Sequence, residues 1–314
     1  MPNQICQAFP PAPKFTEASV PDLISKVYIV TGASAGVGKE LSRLLYSRNG
    51  TVYVAARSAE KANAAIAWIK ESHPTSTGQL HFLQLDLNDL RGIKSSAEEF
   101  LSKEIRLDVL FNNAGVMMPP QGSKTEQGYE LQLGTNCVAP FLFTKLLTPI
   151  LVRTAISSPA GSVRVIWVSS SAAEVVAPRG GVDLDNLHFH KDQEATTKYR
   201  ISKGGNVLHA IEYQRRYKGE GVISTALHPG LLKSDLGRHA GSLLNVMSRP
   251  FQHAPVYGAY TELFAGLAPE ARNPKEGEWV IPWGRIAEIR KDFVTEGKAG
   301  PFWEWSEKQV EMYA

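Results

Sequence analysis

The chain has 314 residues, 43% of them hydrophobic and 21% charged, which is enough to bury the core of one large domain or two small ones. A net charge of +3 made of interspersed acids and bases excludes a nucleic-acid-binding arm, and the densest basic patch, EYQRRYK from Glu212 to Lys218, reads as a solvated helix end. Cys6 and Cys137 fit no metal or redox spacing and are compatible with a reducing compartment, so a cytoplasmic chain is expected.

Residues 1–24 are studded with proline and show neither a basic stretch leading into an apolar run nor an Arg-rich amphipathic pattern. They predict an arm lying against the domain. From Lys26 the chain alternates: strand VYIVTG, helix Gly38 to Arg48, strand TVYVAAR, helix Glu60 to Glu71, strand LHFLQLDL, a helix before Ile105, strand DVLFNNAG, helix Leu131 to Thr154, strand SVRVIWVSS. A helix opening near Tyr199, strand VISTALHPG, a helix after Pro255 and the short strand EWVIPW follow. Buried strands separated by helices predict an α/β fold, a doubly wound parallel sheet of about seven strands in a single domain, 25–284, followed by a helical extension, 285–314. No uninterrupted apolar run reaches bilayer length, because the longest, Cys137 to Val152, carries Lys145 and two prolines; it predicts a buried helix.

Two segments break the rhythm, Ala172 to Lys198 and Leu231 to Pro255. Both leave the carboxyl ends of strands, where open parallel sheets bind ligands, so they are the expected substrate walls, the second a candidate lid through Gly237, Gly241 and Pro250.

Gly32, Gly36 and Gly38 lie between the first strand and its helix, with Ser34 and Val37 among them. Glycines let backbone approach a ligand closely, and the N–H groups of a helix start suit an anionic phosphate. At the end of the second strand, where an acid would accept from ribose hydroxyls, Arg57 stands instead, and its donor fork suits a 2′-phosphate. NADP(H) is thereby favoured over NAD(H), with Lys39 as a possible helper or a solvent-facing cation. Tyr199 and Lys203 are i and i+4, so a helix places them on one face, where an ammonium beside a phenol favours the phenolate. Ser169, Ser170 and Ser171 end the preceding strand, and any of them is a candidate donor to a substrate oxygen.

TGxxxGxG at Thr31 to Gly38, NNAG at Asn112 to Gly115, a serine after a strand and YxxxK at Tyr199 to Lys203 together resemble the short-chain dehydrogenase/reductase family, from about Lys26 to Trp283. The long segment between serine and tyrosine is similar to that of its retinol dehydrogenase-like and fungal branch. The resemblance implies a Rossmann-type fold and selects Ser170 as the donor, Tyr199 as general acid/base, Lys203 as holder of the nicotinamide ribose, and Asn136 as holder of a water beside the lysine. It also implies Asp86 at the adenine edge with Leu87 donating backbone, Thr31 as a bridge from sheet to loop, Asn113 tying loops together, and Ala114 and Gly115 leaving room for a ribose. Pro229 and Gly230 would pass the nicotinamide, and Ser234 would touch phosphate.

The reaction so implied is hydride transfer between nicotinamide and a carbonyl or alcohol, expected in the sense of ketone or aldehyde reduction. Rival readings are an epimerase or dehydratase of the same fold and a nucleotide-binding regulator without turnover. Phe251, Tyr257, Tyr260, Trp279 and Trp283 would suit a bulky apolar substrate, though each equally suits a core. His188 and His190 lack a third ligand at convincing spacing and read as wall or structural residues, and Asp183 and Asp185 as turn formers. Family members assemble through their long fourth and fifth helices, whereas the arm and the C-terminal FWEWSEKQVEMYA are positioned to cover such surface, so monomer and homodimer both remain expected.

Overall fold

The computed structural model describes residues 6, 7, 9–233 and 252–314. Eight strands form one sheet in the order β3-β2-β1-β4-β5-β6-β7-β8. They are β1 (Val27–Thr31), β2 (Thr51–Ala56), β3 (Gln79–Gln84), β4 (Val109–Asn112), β5 (Val163–Val168), β6 (Val222–Leu227), β7 (Glu278–Ile281) and β8 (Arg285–Glu288). All neighbours run parallel except β7 and β8. The order reverses between β1 and β4, and the crevice of such a sheet opens there, beyond the carboxyl ends of the strands.

Both faces of the sheet are covered, which explains why its strands are apolar without alternation. Val27 and Ile29 enter one core, and Tyr28 and Val30 of the same strand enter the other. Helices α1 (Gly36–Ser47), α2 (Ala59–Ser72) and α7 (Pro255–Leu267) flank the sheet together with α3 (Ile93–Lys103), α4 (Ala139–Ile156) and α6 (Ala195–Tyr217). The buried guanidinium of Arg164 on β5 fastens α7 to the sheet by donating to the carbonyls of Ala265 (2.7 Å) and Ala268 (2.8 Å).

Helix α4 is preceded by a short turn, Leu131–Leu133, and a π-helical turn, Gly134–Val138, and the whole run Leu131–Ile156 is helical. At 26 residues and mean hydropathy 1.4 it is long and apolar enough to cross a membrane by length and composition, beyond what its proline and lysine interruptions suggested. The run continues through both prolines, Pro140 at the junction of the π-helical turn with α4 and Pro149 inside α4, and Lys145 pairs with Glu307. With 78% of its apolar 18-residue window buried inside the protein, it is a core helix.

The sheet also runs past Trp283. Gly284, at φ +77°, turns the chain so that β8 pairs antiparallel with β7, an eighth strand inside the segment expected to be a helical extension. Then come α8 (Asp292–Thr295) and α9 (Ala299–Val310). Helix α9 packs on α4 and α6: Trp303 meets Phe141 edge-on at 4.7 Å, Phe302 stacks on His209 at 4.7 Å, and Ser306 Oγ lies 3.0 Å from His209 Nε2.

The same segment pins the insertion between β5 and α6, which contains the short helix α5 (Ser171–Val176). Arg290 donates to the carbonyls of Glu174, Ala177 and Pro178, and Lys298 to those of Arg179 and Val182. The insertion then crosses α6 so closely that a Cβ on Gly204 would lie 2.2 Å from the Gly181 carbonyl oxygen. Asp183 accepts from the Asp185 N–H in a local turn, and His188 rests against Trp305.

Candidate active site

The turn after β1 is shaped by what its glycines exclude. Gly32 has φ +69°, and a Cβ there would lie 2.9 Å from Ala114 Cα; at Gly38 it would lie 2.5 Å from Asn113 Nδ2 and 2.9 Å from Gly32 O. These two glycines therefore bring the first turn against the loop after β4. Thr31 locks the pair: its Oγ1 donates to Phe111 O (3.2 Å) and accepts from the N–H groups of Asn113 and Ala114 (both 3.0 Å). Asn113 Nδ2 donates back to Thr31 O at 2.7 Å. Gly36 differs, for at φ +56° its missing Cβ would meet nothing within 4 Å. The open side at Gly36, half-buried Ser34 and Val37 beside it, and a start of α1 with no side-chain cap form a cradle of N–H groups that fits an anionic phosphate.

Arg57 stands exposed at the end of β2; its backbone carbonyl accepts from Gln84, and among the described residues its guanidinium has no ion-pair partner. Lys39 lies over the Trp68 ring at 4.0 Å, so it points neither into bulk solvent nor freely toward a ligand. Asp86 turns the chain after β3 by accepting from the Asn88 N–H, followed by buried Leu87.

At the other end of the crevice, strand β5 delivers three serines in different directions. Ser169 is buried and donates to Lys203 O (2.7 Å), whereas Ser170, half-buried, accepts from the Ala172 N–H (3.2 Å) and lies close enough to the Tyr199 phenol to lower its pKa. Lys203 Nζ donates to Val168 O at 2.9 Å and lies 5.9 Å from the Tyr199 ring centre. The loop after β4 closes the group, since a Cβ on Gly115 would come within 3.1 Å of Asn136 Oδ1 and 3.3 Å of Lys203 Nζ. Asn136, on the π-helical turn, uses its whole amide: it accepts from Val116 N–H (2.8 Å) and donates to Val116 O (3.0 Å) and Ser202 Oγ (2.9 Å).

Electrostatics here departs from the expectation that the lysine would favour a phenolate. Burial pushes the Tyr199 phenol up to about 12, with only nearby Ser170 pulling it back, and burial brings Lys203 down to about 8. Desolvation penalises both charged forms and is the largest cause of each shift.

His228, Pro229 and Gly230 follow β6. His228 is buried and kept neutral by burial, which lowers it to about 3, and its Nε2 lies 2.7 Å from Oε1 of Gln7 in the N-terminal arm. Gly230 has φ +90°, and a Cβ there would meet the Trp283 ring at 2.8 Å. Tyr257 packs on Trp283 at 5.1 Å, and Trp283 is itself buried. Trp279 does not reach the substrate side: it is 1% exposed, against His228 on the inner face. Tyr260 bonds Glu17 of the arm. Ser234, Phe251 and the lid glycines lie outside the described residues.

One buried acid escaped the sequence reading. Glu262 on α7 is fully buried, and neither carboxyl oxygen has a hydrogen-bond partner among the described residues. It lies one turn from Gly258, whose Cβ would touch Leu232, Val37 and Pro229, and one turn from Gly266, whose Cβ would touch Phe111. That i, i+4, i+8 row on the sheet-facing side was the available signal. Burial pushes its carboxyl up to about 8 against the pull of Lys203. A folded value above the unfolded 4.5 means that the folded protein keeps a proton the unfolded chain loses, so this group's stabilisation is full below about 4.5 and is lost as pH rises to 8. Lys203, lowered, acts oppositely and only above about 8. Glu262→Gln is expected to flatten the decline in urea midpoint between those pH values; an unchanged decline would assign it to other groups.

An open turn of N–H groups that fits a phosphate at one end of the crevice and a buried phenol beside a lysine at the other suit an oxidoreductase that works with a bound dinucleotide. The family model for short chain dehydrogenases matches residues 26–182. A short-chain dehydrogenase/reductase of Phomopsis amygdali is 54% identical, covering 99% of this chain and 97% of its own, and pkfC of Emericella nidulans is 50% identical over 96% and 97%. The Pseudomonas aeruginosa RhlG/NADP active-site complex shares the fold at a TM-score of 0.63, with 22% identity over 83% of this chain and 94% of that one. The chain belongs to the short-chain dehydrogenase/reductase family, alongside fungal relatives.

Proposed function

We propose that the protein reduces a ketone or aldehyde with NADPH. The observation that carries this reading is the buried phenol of Tyr199, held in its protonated form beside Ser170, with the Lys203 ammonium 5.9 Å from its ring and Lys203 and Asn136 meeting at Gly115. A phenol kept protonated is in the right state to donate, which is what reduction asks of it. Bound in the cradle, the cofactor supplies a hydride. Ser170 donates to the substrate oxygen as negative charge develops there, and Tyr199 delivers the proton to the same oxygen. Lys203, within reach of Gly115, holds ribose hydroxyls, and Asn136, whose side chain fixes the loop at Val116, leaves any part in a proton path to its backbone carbonyl. Asp86 and Leu87 take the adenine edge, and Ser34, Val37, Pro229 and Gly230 line the remaining length. Tyr257, packed on Trp283, favours a bulky apolar substrate. The likeness to retinol dehydrogenase-like enzymes rests on the length of the 172–198 insertion.

The test is NADPH consumption across a panel of ketones and aldehydes of increasing bulk; no turnover with any of them would sink the reading. Arg57, exposed at the end of β2 with no ion-pair partner among the described residues, supports NADPH over NADH. Wild-type protein is expected to bind NADPH at least about tenfold more tightly, and Arg57→Ala to erase most of that, on the order of 1–3 kcal/mol. A preference that survives Arg57→Ala would move the assignment to another cation.

The protein is proposed to be a monomer, because α9 covers the outward faces of α4 and α6 with Phe302 and Trp303. Light scattering on a sizing column is expected to give the mass of one chain, 34.4 kDa, and a dimer mass would overturn it.

A further inference from the structure

Helix α5 begins at Ser170, and little packing holds it. Its six residues, Ser171–Val176, are too few to stand as a helix by themselves, and only Ala173 and Glu174 are buried. Val175 and Val176 are exposed, at 49% and 44%. At the start of the helix Ser170 is the cap, accepting from the Ala172 N–H at 3.2 Å. At its end Ala177 is extended, with φ −66° and ψ 154°, so the chain leaves without turning back to satisfy the last carbonyls.

That end is taken up by one side chain from about 120 residues further along, beyond the residues 26–182 that the family model matches. Arg290 Nη1 donates to Glu174 O (3.0 Å), and its Nη2 to Ala177 O (3.2 Å) and Pro178 O (2.9 Å). The guanidinium is itself held at two points by Asp292, Nε to Oδ1 at 2.5 Å and Nη2 to Oδ2 at 2.8 Å, and the same Oδ2 accepts from the Gly180 N–H at 2.5 Å. It also lies over the ring of buried Phe293, 5.3 Å from its centre. A planar fork fixed by a carboxylate and offering its other N–H groups to three carbonyls determines where the far end of α5 sits, and a cation at a helix C-terminus is favourable in itself. In so short a helix a shift at one end is passed to the other, where the Ser170 hydroxyl stands beside the Tyr199 phenol.

We propose that Arg290 is a positioning residue for the reduction: by holding the carbonyl end of α5 it keeps the Ser170 hydroxyl, at the other end, where a substrate oxygen can accept from it. This rests on Ser170 being the donor in the reaction proposed above. It gives the segment after β8 a part in that reaction.

Arg290→Lys keeps the charge but replaces the fork with a single ammonium, which cannot reach three carbonyls and Asp292 together. Hydrogen exchange of the NADPH-bound variant is expected to be at least about tenfold faster across residues 171–177 and unchanged in α1. Single-turnover reduction of the panel compound that the parent reduces fastest should fall by about tenfold or more, since a small misplacement of a reacting group is costly, while NADPH affinity stays the same. Ser170→Ala shows whether that loss runs through Ser170: alone it should cost roughly 10²–10³, and adding Arg290→Lys to it should cost less than about twofold more. A general loosening of the fold would slow both backgrounds alike. Parental exchange in residues 171–177, a parental rate in Arg290→Lys, or the same fold-loss with and without Ser170 would each overturn the proposal. Ser170→Ala at the parental rate would strike the donor from the proposed reaction and this proposal with it, a failure told apart because the single Ser170 variant alone reveals it. Asp292→Asn weakens the hold on Arg290 without removing a donor to α5, and it should give the same pattern with smaller losses; it decides if Arg290→Lys fails to fold, judged by lost NADPH binding.

Discussion

Tyr199→Phe is expected to lower the rate of carbonyl reduction by roughly 10²–10⁴, the usual worth of a positioned acid/base group. Only the phenolic oxygen is lost, and the helix around it is held by other contacts: Ser202 Oγ donates to Tyr199 O, and Ser169 Oγ to Lys203 O. NADPH affinity should stay within a few fold of the parent, since the glycine cradle and Lys203 are untouched. Burial holds this phenol at about 12, so the parent protein has its proton in place across the neutral range, and the variant has no substitute donor at that point. The measurement is a single-turnover rate with deuterated NADPH, whose isotope effect shows that hydride transfer is being observed rather than product release. A near-parental rate with a full isotope effect would remove Tyr199 from the mechanism.

Lys203→Met should damage both binding and chemistry. Its ammonium donates to Val168 O, but Asn206 Nδ2 donates to the same carbonyl at 3.1 Å, so removing the lysine leaves no orphaned acceptor and the fold should survive. Methionine fills most of the buried channel. NADPH affinity is expected to fall by about tenfold or more, the worth of lost charge-assisted contacts to the ribose, with a further loss of roughly 10² in the single-turnover rate at saturating cofactor. Fluorescence titration and rapid mixing separate the two. Unchanged affinity would leave Lys203 as a neighbour of Tyr199 with no hold on the ribose.

What could be read from the sequence was what local spacing determines. Tyr199 and Lys203 had to share a helix face, and Gly32, Gly36 and Gly38 had to form a turn where strand gives way to helix. Spacing alone left Ser169, Ser170 and Ser171 open, and the choice of Ser170 rests on the family resemblance; in the structure Ser169 turns inward to a backbone carbonyl. What could not be read depends on which elements meet. Trp279 has the sequence neighbourhood of a substrate-side aromatic, yet β7 pairs with β6 so as to turn its ring toward His228. Strand β8 is only four residues long and is half exposed, too short to stand out from the helical segment that follows it. The protonation states of Tyr199 and Lys203 follow from how much protein surrounds them, a quantity set by α6, the insertion and the β4 loop together, whereas their i, i+4 spacing carries only their proximity.

Because α9 comes after α4 and α6 in the chain, synthesis sets an order of assembly. Phe141 and His209, on α4 and α6, belong to helices that leave the ribosome before Phe302 and Trp303, so their outer faces remain bare until that later segment emerges. A message that stops short of Ala299 would encode every group of the crevice and still yield a chain with exposed aromatic rings, which is drawn into aggregates or degraded instead of accumulating as a slow enzyme.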